Sequence, residues 1–441
     1  MKKHTALFLS VVLVMALMLG ALGIRGTAAQ GQNVMVWTKF NDQNPQNAQD
    51  NWLAAMLAQY NQTGNTATNT FQPYDQINNK LNAAVLAKGE VPDVSYVDTQ
   101  YLNFFLQNGT LTDLTEWVKA APWFSDLDPK ALAACTTPDG KIMCVPAHTA
   151  IMFTYYWKDL SPEPPKTTDD LLALGAKLKA DNKFAFTGKL SESTSVERMY
   201  YNLILSFGGT IADENGLATW ANEGTVKAVE WLRVLFGEGY AARESLAPGF
   251  DNEQPFMRGE SATFLAGSWS YVYLTPLTSP KTTVYEGTPG DVDPKTAGAV
   301  GKALAGGELG LAPPISAPDG KPNSFLAASA WGIPNGAKNI EGAKDFINFQ
   351  METTRNAAYS IAYGALPAML TAKEAPEFQT DYWKTVSQYQ TEYGVNSPTF
   401  LDYNLGLTLL SDAIVKLITD PSLDIMATLQ AAQDEYNASV E

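Results

Sequence analysis

Val34-Met-Val-Trp-Thr-Lys-Phe40 is a run of β-branched and aromatic residues and predicts a strand. The period then changes. Trp52, Leu53, Met56, Leu57 and Tyr60 recur at three- and four-residue steps, which predicts a helix over 49–60. A second strand is expected over Thr66–Pro73, leading through Tyr74-Asp-Gln-Ile77 into a helix that reaches Leu86. Lys88-Gly-Glu marks a turn, and Pro92-Asp-Val-Ser-Tyr-Val-Asp98 reads as a third strand. Strand, helix, strand, helix, strand in this order predicts an α/β fold with a largely parallel sheet.

The same grammar returns further on. Ile142–Trp157 is apolar and aromatic and runs into Pro162-Glu-Pro-Pro165. Thr167 with Asp170 three residues later is a capping-box pattern, opening a helix with Leu171, Leu174 and Leu178 on one face. Val226, Val229, Leu232 and Leu235 mark another helix, and Ile340, Ala343, Phe346 and Ile347 a further one. The Gly- and Pro-rich span Thr282–Pro322 is expected to hold a surface excursion and one crossing between domains. No repeat of fixed period and no low-complexity tract occurs.

The first residues change the picture. Lys2 and Lys3 precede a 19-residue apolar run, Ala6–Ile24, and small residues follow at Gly26-Thr-Ala-Ala29. This is an export signal with cleavage expected after Ala29; an uncleaved membrane anchor is the alternative. Removing 29 of 441 residues leaves 412, enough for two sizeable cores. It also removes Lys2, Lys3 and Arg25, taking the formal charge from −16 to −19. Such acidity argues against nucleic acid, whose phosphates require basic patches. The first cysteine is Cys135, so no lipid anchor is expected at the cleavage site. Cys135 and Cys144 flank a Pro138-Asp-Gly140 turn signal, and a tight hairpin there would bring their sulfurs together. In an exported protein the pair is expected to form a structural disulfide, with two free thiols as the alternative. No metal and no cofactor is expected.

Pro255-Phe-Met-Arg-Gly-Glu-Ser-Ala-Thr-Phe-Leu-Ala-Gly-Ser-Trp269 and its echo Phe325-Leu-Ala-Ala-Ser-Ala-Trp-Gly-Ile-Pro-Asn335 each run through small residues into a Trp beside a Gly. Both resemble segments of the family-1 extracellular solute-binding proteins of ABC importers, the group that includes maltose and oligosaccharide binders. Further pieces resemble that family in its order. They are Lys88-Gly-Glu-Val-Pro-Asp-Val94, Gly109-Thr-Leu-Thr-Asp-Leu114, Asp139-Gly-Lys-Ile-Met-Cys-Val-Pro146, Thr154-Tyr-Tyr-Trp-Lys-Asp-Leu160, Phe207-Gly-Gly, Gly237-Glu-Gly-Tyr240, Glu341-Gly-Ala-Lys-Asp-Phe346 and Tyr363-Gly-Ala-Leu-Pro367. Trp157 is a departure, since the family usually has Asn there. The resemblance implies two α/β lobes of the type II periplasmic-binding-protein fold, joined by three crossovers and closing on a ligand. One lobe would comprise 30–138 and 312–366, the other 139–311 and 367–441.

By the same resemblance, the protein is a monomeric, exported capture component, periplasmic or on the outer face of the cytoplasmic membrane. It would hand a mono- or oligosaccharide to a membrane permease and perform no chemistry. Aromatic rings cover the CH faces of sugars, and carboxylates and amides hold the hydroxyls. The candidates are Trp37 and Lys39 after the first strand, Tyr74 and Asp75 in a strand-to-helix turn, and Asp98 after the third strand. Tyr155 and Trp157 beyond the Cys144 strand, Trp269, and Trp331 join them, as do Arg355 and Tyr359 on the following helix and Asp402 and Tyr403 at the far end. Trp117 and Trp231 read as packing residues. His148, the only histidine after cleavage, reads as a hydrogen-bonded residue of an inter-lobe strand. A non-sugar solute such as a glycerol phosphate or a polyamine is the alternative ligand. A secreted glycoside hydrolase is the more distant alternative; no ordered motif points to it, and no G-x-S-x-G elbow is present.

Overall fold

The computed structural model describes residues 31–440 except 248, 250, 289–297 and 399. The expected export signal, 1–29, lies outside the described residues. Twelve strands are assigned among them: β1 Asn33–Thr38, β2 Thr66–Phe71, β3 Val94–Asp98, β4 Val145–Trp157, β5 Phe184–Thr187, β6 Ser261–Gly267, β7 Leu277–Thr278, β8 Val284–Tyr285, β9 Leu309–Ala312, β10 Ser324–Gly332, β11 Leu366–Pro367 and β12 Gly394–Val395. Ten form one sheet with the order β2-β1-β3-β10-β4-β6-β5; β9 and β11 also pair with β4, and β12 with β10.

The flanks of the sheet are parallel, as the alternation of strands and helices predicts: β2 and β3 run with β1, and β5 runs with β6. The middle differs. β10 is antiparallel to both β3 and β4, and β4 is antiparallel to β6 and β9. The reason lies in β4, which is 13 residues long and buried throughout. Its first part, Val145–Ile151, pairs with β10, while Met152–Trp157 pairs with β6 and β9. One strand thus belongs to both halves of the sheet, and β10 returns beside it in the opposite direction.

Local signals are realised where the sequence places them. The helix Ala48–Asn61 buries Trp52, Leu53, Met56, Leu57 and Tyr60. Thr167 accepts from the Asp170 amide, and the Asp170 carboxylate accepts from the Thr167 amide, completing the box that opens the helix Thr168–Leu178. A cap of this kind contributes about 1 kcal/mol. The Cys135–Cys144 segment is a hairpin: Thr136 bridges Ile142, and the Met143 amide donates to the Cys135 carbonyl. Gly140 takes φ +85°, which favours glycine in this turn. The irregular span after Thr282 includes β8, a helix at Ala299–Ala305 and β9.

One apolar core extends from Val34 and Trp52 to Trp331 and Trp383, and a second gathers around Phe186, Trp220, Trp231 and Leu410. Trp231 donates its indole N–H to the Thr168 carbonyl, and Trp117 packs edge-on against Trp123, so both are packing residues as expected. No helix among the described residues is long and apolar enough to cross a membrane.

Candidate functional site

The parallel strands β1, β2 and β3 end at one side of the sheet, and a residue at or just past each end reaches a common cleft. Lys39 follows β1, Tyr74 lies in the turn after β2, and Asp98 closes β3. Ligands of open α/β sheets sit at such carboxyl ends. Across the cleft, Trp269 follows the end of β6, Tyr273 follows the short turn Ser268–Val272, and Glu197 and Arg198 lie in the π-helical turn Val196–Tyr200. His148 of β4 and Ser329 of β10 form the floor. The cleft encloses about 430 Å³, within the range of about 300–1,000 Å³ usual for small-molecule sites.

On the β1–β3 side the groups are pre-set by hydrogen bonds. Asp98 accepts from the Tyr96 hydroxyl at 2.6 Å and from Asn78 Nδ2 at 3.0 Å, and Tyr96 also bonds Ser329 at 2.7 Å. The Lys39 ammonium donates to the Tyr363 hydroxyl at 2.8 Å and lies 4.1, 4.6 and 4.7 Å from the ring centres of Tyr74, Tyr96 and Tyr363. Such a cage holds a cation by the ring quadrupoles while leaving its remaining N–H groups for a ligand. Tyr74 is 46% exposed, an open aromatic face at the mouth.

On the other side, Trp269 lies against Gly267. A Cβ added there would sit 2.2–2.4 Å from three ring carbons, so only glycine lets the indole lie flat on the strand end. The Arg198 guanidinium is 5.6 Å from the same ring. Glu197 is buried, and the Tyr403 hydroxyl donates to its Oε1. Burial pushes the Glu197 carboxyl up to about 8; Arg198 opposes the rise and Asp98 adds to it. Burial, with Lys39 nearby, pushes His148 well below its usual range, so its ring is neutral near pH 7. Neither His148 nitrogen has a hydrogen-bond partner, and Gln100 Oε1 and Thr194 Oγ1 are likewise buried without one. The expected hydrogen-bonded role of His148 is therefore corrected: its ring packs on Tyr363 at 4.0 Å with both polar atoms unfilled. Buried polar atoms left unpaired are costly, and the three residues that carry these four all line the cleft.

Lys39, Tyr74, Asp98 and Trp269 thus come together. The other sequence candidates are placed elsewhere. Trp37 points away from the cleft into a cluster with Leu81 and Leu102, because the side chains of a strand alternate. Asp75 is exposed outside the cleft, as the chain turns into the helix Ile77–Leu86. Tyr155 and Trp157 are fully buried. Tyr155 bonds the Gly267 carbonyl and Tyr382, and Trp157 donates to the Phe256 carbonyl at 3.1 Å, since both faces of β4 are covered at that end. Trp331 lies under the helices Ile340–Gln350 and Thr353–Tyr363, packed on Phe346 and Tyr359. Tyr359 stacks on Trp52 with ring centres 4.0 Å apart. Arg355 caps Phe349 at 3.6 Å, pairs with Glu352, and lines a different groove between its own helix and Ala48–Asn61. Asp402 is the N-cap of the helix Tyr403–Thr419, accepting from Leu405 N. Tyr403 is buried behind the cleft, where it holds Glu197. Sequence reasoning missed Glu197, Arg198 and Tyr273; the only signal was a charged pair between Val196 and Met199. Cys135 and Cys144 face each other as buried free thiols with sulfurs 2.6 Å apart.

Known proteins resemble the chain over most of its length. The Streptococcus pneumoniae maltooligosaccharide ABC transporter solute-binding lipoprotein is 24% identical over 308 residues, 66% of this chain and 63% of the relative. The chain thus spans less than two thirds of that relative's length. Among solved structures, the GacH receptor of Streptomyces glaucescens, described unliganded and with acarbose, superposes with a TM-score of 0.75 at 17% identity, covering 93% of this chain and 98% of that one. A Thermotoga lettingae ABC transporter solute-binding protein bound with α-D-tagatose gives 0.75 at 16% identity, covering 93% of this chain and all of that one. The fold is therefore the expected two-lobe α/β binding-protein fold. The sequence pattern of the bacterial extracellular solute-binding proteins matches residues 55–384, three quarters of the chain, and the protein belongs to that family.

Proposed function

We propose that the protein is the capture component of an ABC importer, taking a mono- or oligosaccharide from outside the cell and presenting it to a membrane permease without chemical change. The observation that carries this reading is the cleft itself. Aromatic faces (Tyr74 and Trp269) and hydrogen-bonding groups reach it from both flanks of the sheet. A ligand that touches both flanks favours the closed arrangement through its differential affinity. The names of the relatives and the bound sugars of the similar structures support the saccharide class.

In this reading the lobes are 30–138 with 312–366 and 139–311 with 367–441, and the ligand residues are Lys39, Tyr74, Asp98 and Trp269. Export on a signal cleaved after Ala29, without a lipid anchor, and function as a monomer belong to the same proposal. So does closure of Cys135–Cys144 into a disulfide in an oxidising compartment, which the facing sulfurs support.

The test is thermal unfolding of the mature protein against neutral and acidic saccharides, polyols, polyamines and glycerol phosphates. A ligand at about a thousand times its Kd adds about 4 kcal/mol to the folded state. A shift with saccharides recovered intact upholds the reading. A shift with polyamines or glycerol phosphates alone replaces the ligand class, and a saccharide recovered cleaved replaces the function.

A further inference from the structure

Two cations reach the cleft from its opposite sides, and neither is in an ion pair among the described residues. Lys39 is held by the Tyr363 hydroxyl and three tyrosine rings, with no carboxylate on it. Arg198 is half-buried and makes no ion pair; its guanidinium lies 5.6 Å from the Trp269 ring and acts through space on the buried carboxyls of Glu197 and Glu253. The other arginines after residue 29 set a contrast. Arg233 donates to three backbone carbonyls, Arg258 pairs with Glu244 and Glu260, and Arg355 pairs with Glu352. Arg243 is exposed to water. Among the described residues, Arg198 is the one half-buried arginine with no hydrogen bond or ion pair from its side chain to the protein.

The carboxyls nearby do not supply the missing partner. Asp98 already takes hydrogens from Tyr96 and Asn78. Glu197 is engaged by Tyr403 and is largely neutral at pH 7, because burial holds its carboxyl near 8. Glu253 is not in the cleft lining and accepts from Tyr273 at 3.3 Å; burial pushes its carboxyl upward while Arg198 opposes the rise, and no ion pair forms between them. Of the ionisable groups lining the cleft, Lys39 and Arg198 stand against Asp98, with the Glu197 carboxyl held up near 8, so the lining is positive in a chain of net charge −16. A local field of this sign attracts and orients an anion even in an acidic protein, and a planar guanidinium suits a carboxylate or phosphate by paired hydrogen bonds.

Resting on the saccharide reading, we infer that the ligand is an acidic one: a sugar whose carboxylate or phosphate is received by Arg198, with Lys39 as the second cation and the unfilled groups of His148, Gln100 and Thr194 taking its hydroxyls. The anion comes with the ligand, which is why the protein keeps two unpaired cations in a semi-enclosed cleft.

Titration calorimetry of the mature protein with matched pairs tests this: glucose against glucuronate, galactose against galacturonate, and glucose against glucose 6-phosphate, each at low and high salt. The acidic member should bind roughly ten- to a hundred-fold more tightly, the usual weight of a charge-assisted bond, with the advantage shrinking at high salt. The uronate and phosphate arms tell the two anions apart. Arg198→Gln should weaken the acidic member far more than its neutral partner and so erase most of that advantage; Lys39→Met should reduce it further. Neutral sugars that bind as well as or better than their acidic partners overturn the inference and leave the saccharide reading standing. Equal weakening of both members by Arg198→Gln also overturns it, because the guanidinium then serves a hydroxyl. A panel in which no saccharide binds, neutral or acidic, removes both readings.

Discussion

Replacing Glu197 by Gln should change how stability depends on pH, and the structure sets the size of the effect. Glu197 is 5% exposed, and burial raises its carboxyl from the ordinary 4.5 to about 8. Between those values the folded chain holds a proton that the unfolded chain has lost, so stability falls as pH rises through this window. The stabilisation is complete below 4.5 and is gone once pH has passed 8. A rise of about 3.5 units at about 1.36 kcal/mol each corresponds to about 5 kcal/mol. That figure is a ceiling, because a charged Glu197 would draw the neighbouring Arg198 guanidinium toward itself. Glu197→Gln keeps the shape and an oxygen for the Tyr403 hydroxyl but cannot ionise. His148 titrates with the opposite sign, its ring being held neutral, yet it is present in both proteins and cancels in the comparison. The assay is thermal unfolding of the ligand-free protein and the variant from pH 5 to pH 9. At roughly 2–4 °C per kcal/mol for a lobe of this size, the variant should gain several degrees on the parent between pH 6 and pH 9. Parallel curves across that range would refute the assignment of Glu197 as a buried, neutral carboxyl.

Three further outcomes follow from the same geometry. Trp269→Ala removes the cleft's largest aromatic face and should cost about 2 kcal/mol of binding, roughly thirty-fold in Kd; titration calorimetry with unchanged affinity takes Trp269 out of the site. Gly267→Ala places a Cβ within 2.2–2.4 Å of the indole, so the ring must leave the strand end; binding should weaken as in Trp269→Ala while far-ultraviolet circular dichroism stays the same, and full affinity would show that the flat seat is dispensable. Reducing the Cys135–Cys144 pair in the exported protein should lower stability by about 2.5 kcal/mol with little change in affinity; alkylation of both thiols without prior reduction would show that the bond does not form.

How far the sequence speaks depends on whether the physics is local. The helix Ala48–Asn61, the Thr167–Asp170 box and the Gly140 turn are written in spacing and turn chemistry, and they stand where the pattern puts them. The antiparallel centre was hidden because β4 and β10 are covered on both faces; a continuous apolar run carries no direction and no pairing partner. The cleft divides in the same way. Lys39, Tyr74 and Asp98 stand at or just past the carboxyl ends of strands, a position that topology alone marks. Glu197 and Arg198 sit in a π-helical turn that no spacing in Ser195-Val-Glu-Arg-Met-Tyr200 announces. Trp269 and Trp331 show the limit most sharply. Each ends a run of small residues beside a glycine, yet Trp331 lies beneath two helices joined to its strand only through later sequence, while Trp269 lies on Gly267 and lines the cleft. Small neighbours tell that a ring has room to lie flat. Whether a helix or a ligand then covers it is decided by residues far along the chain, so an aromatic candidate becomes a binding face only when its long-range neighbours are known.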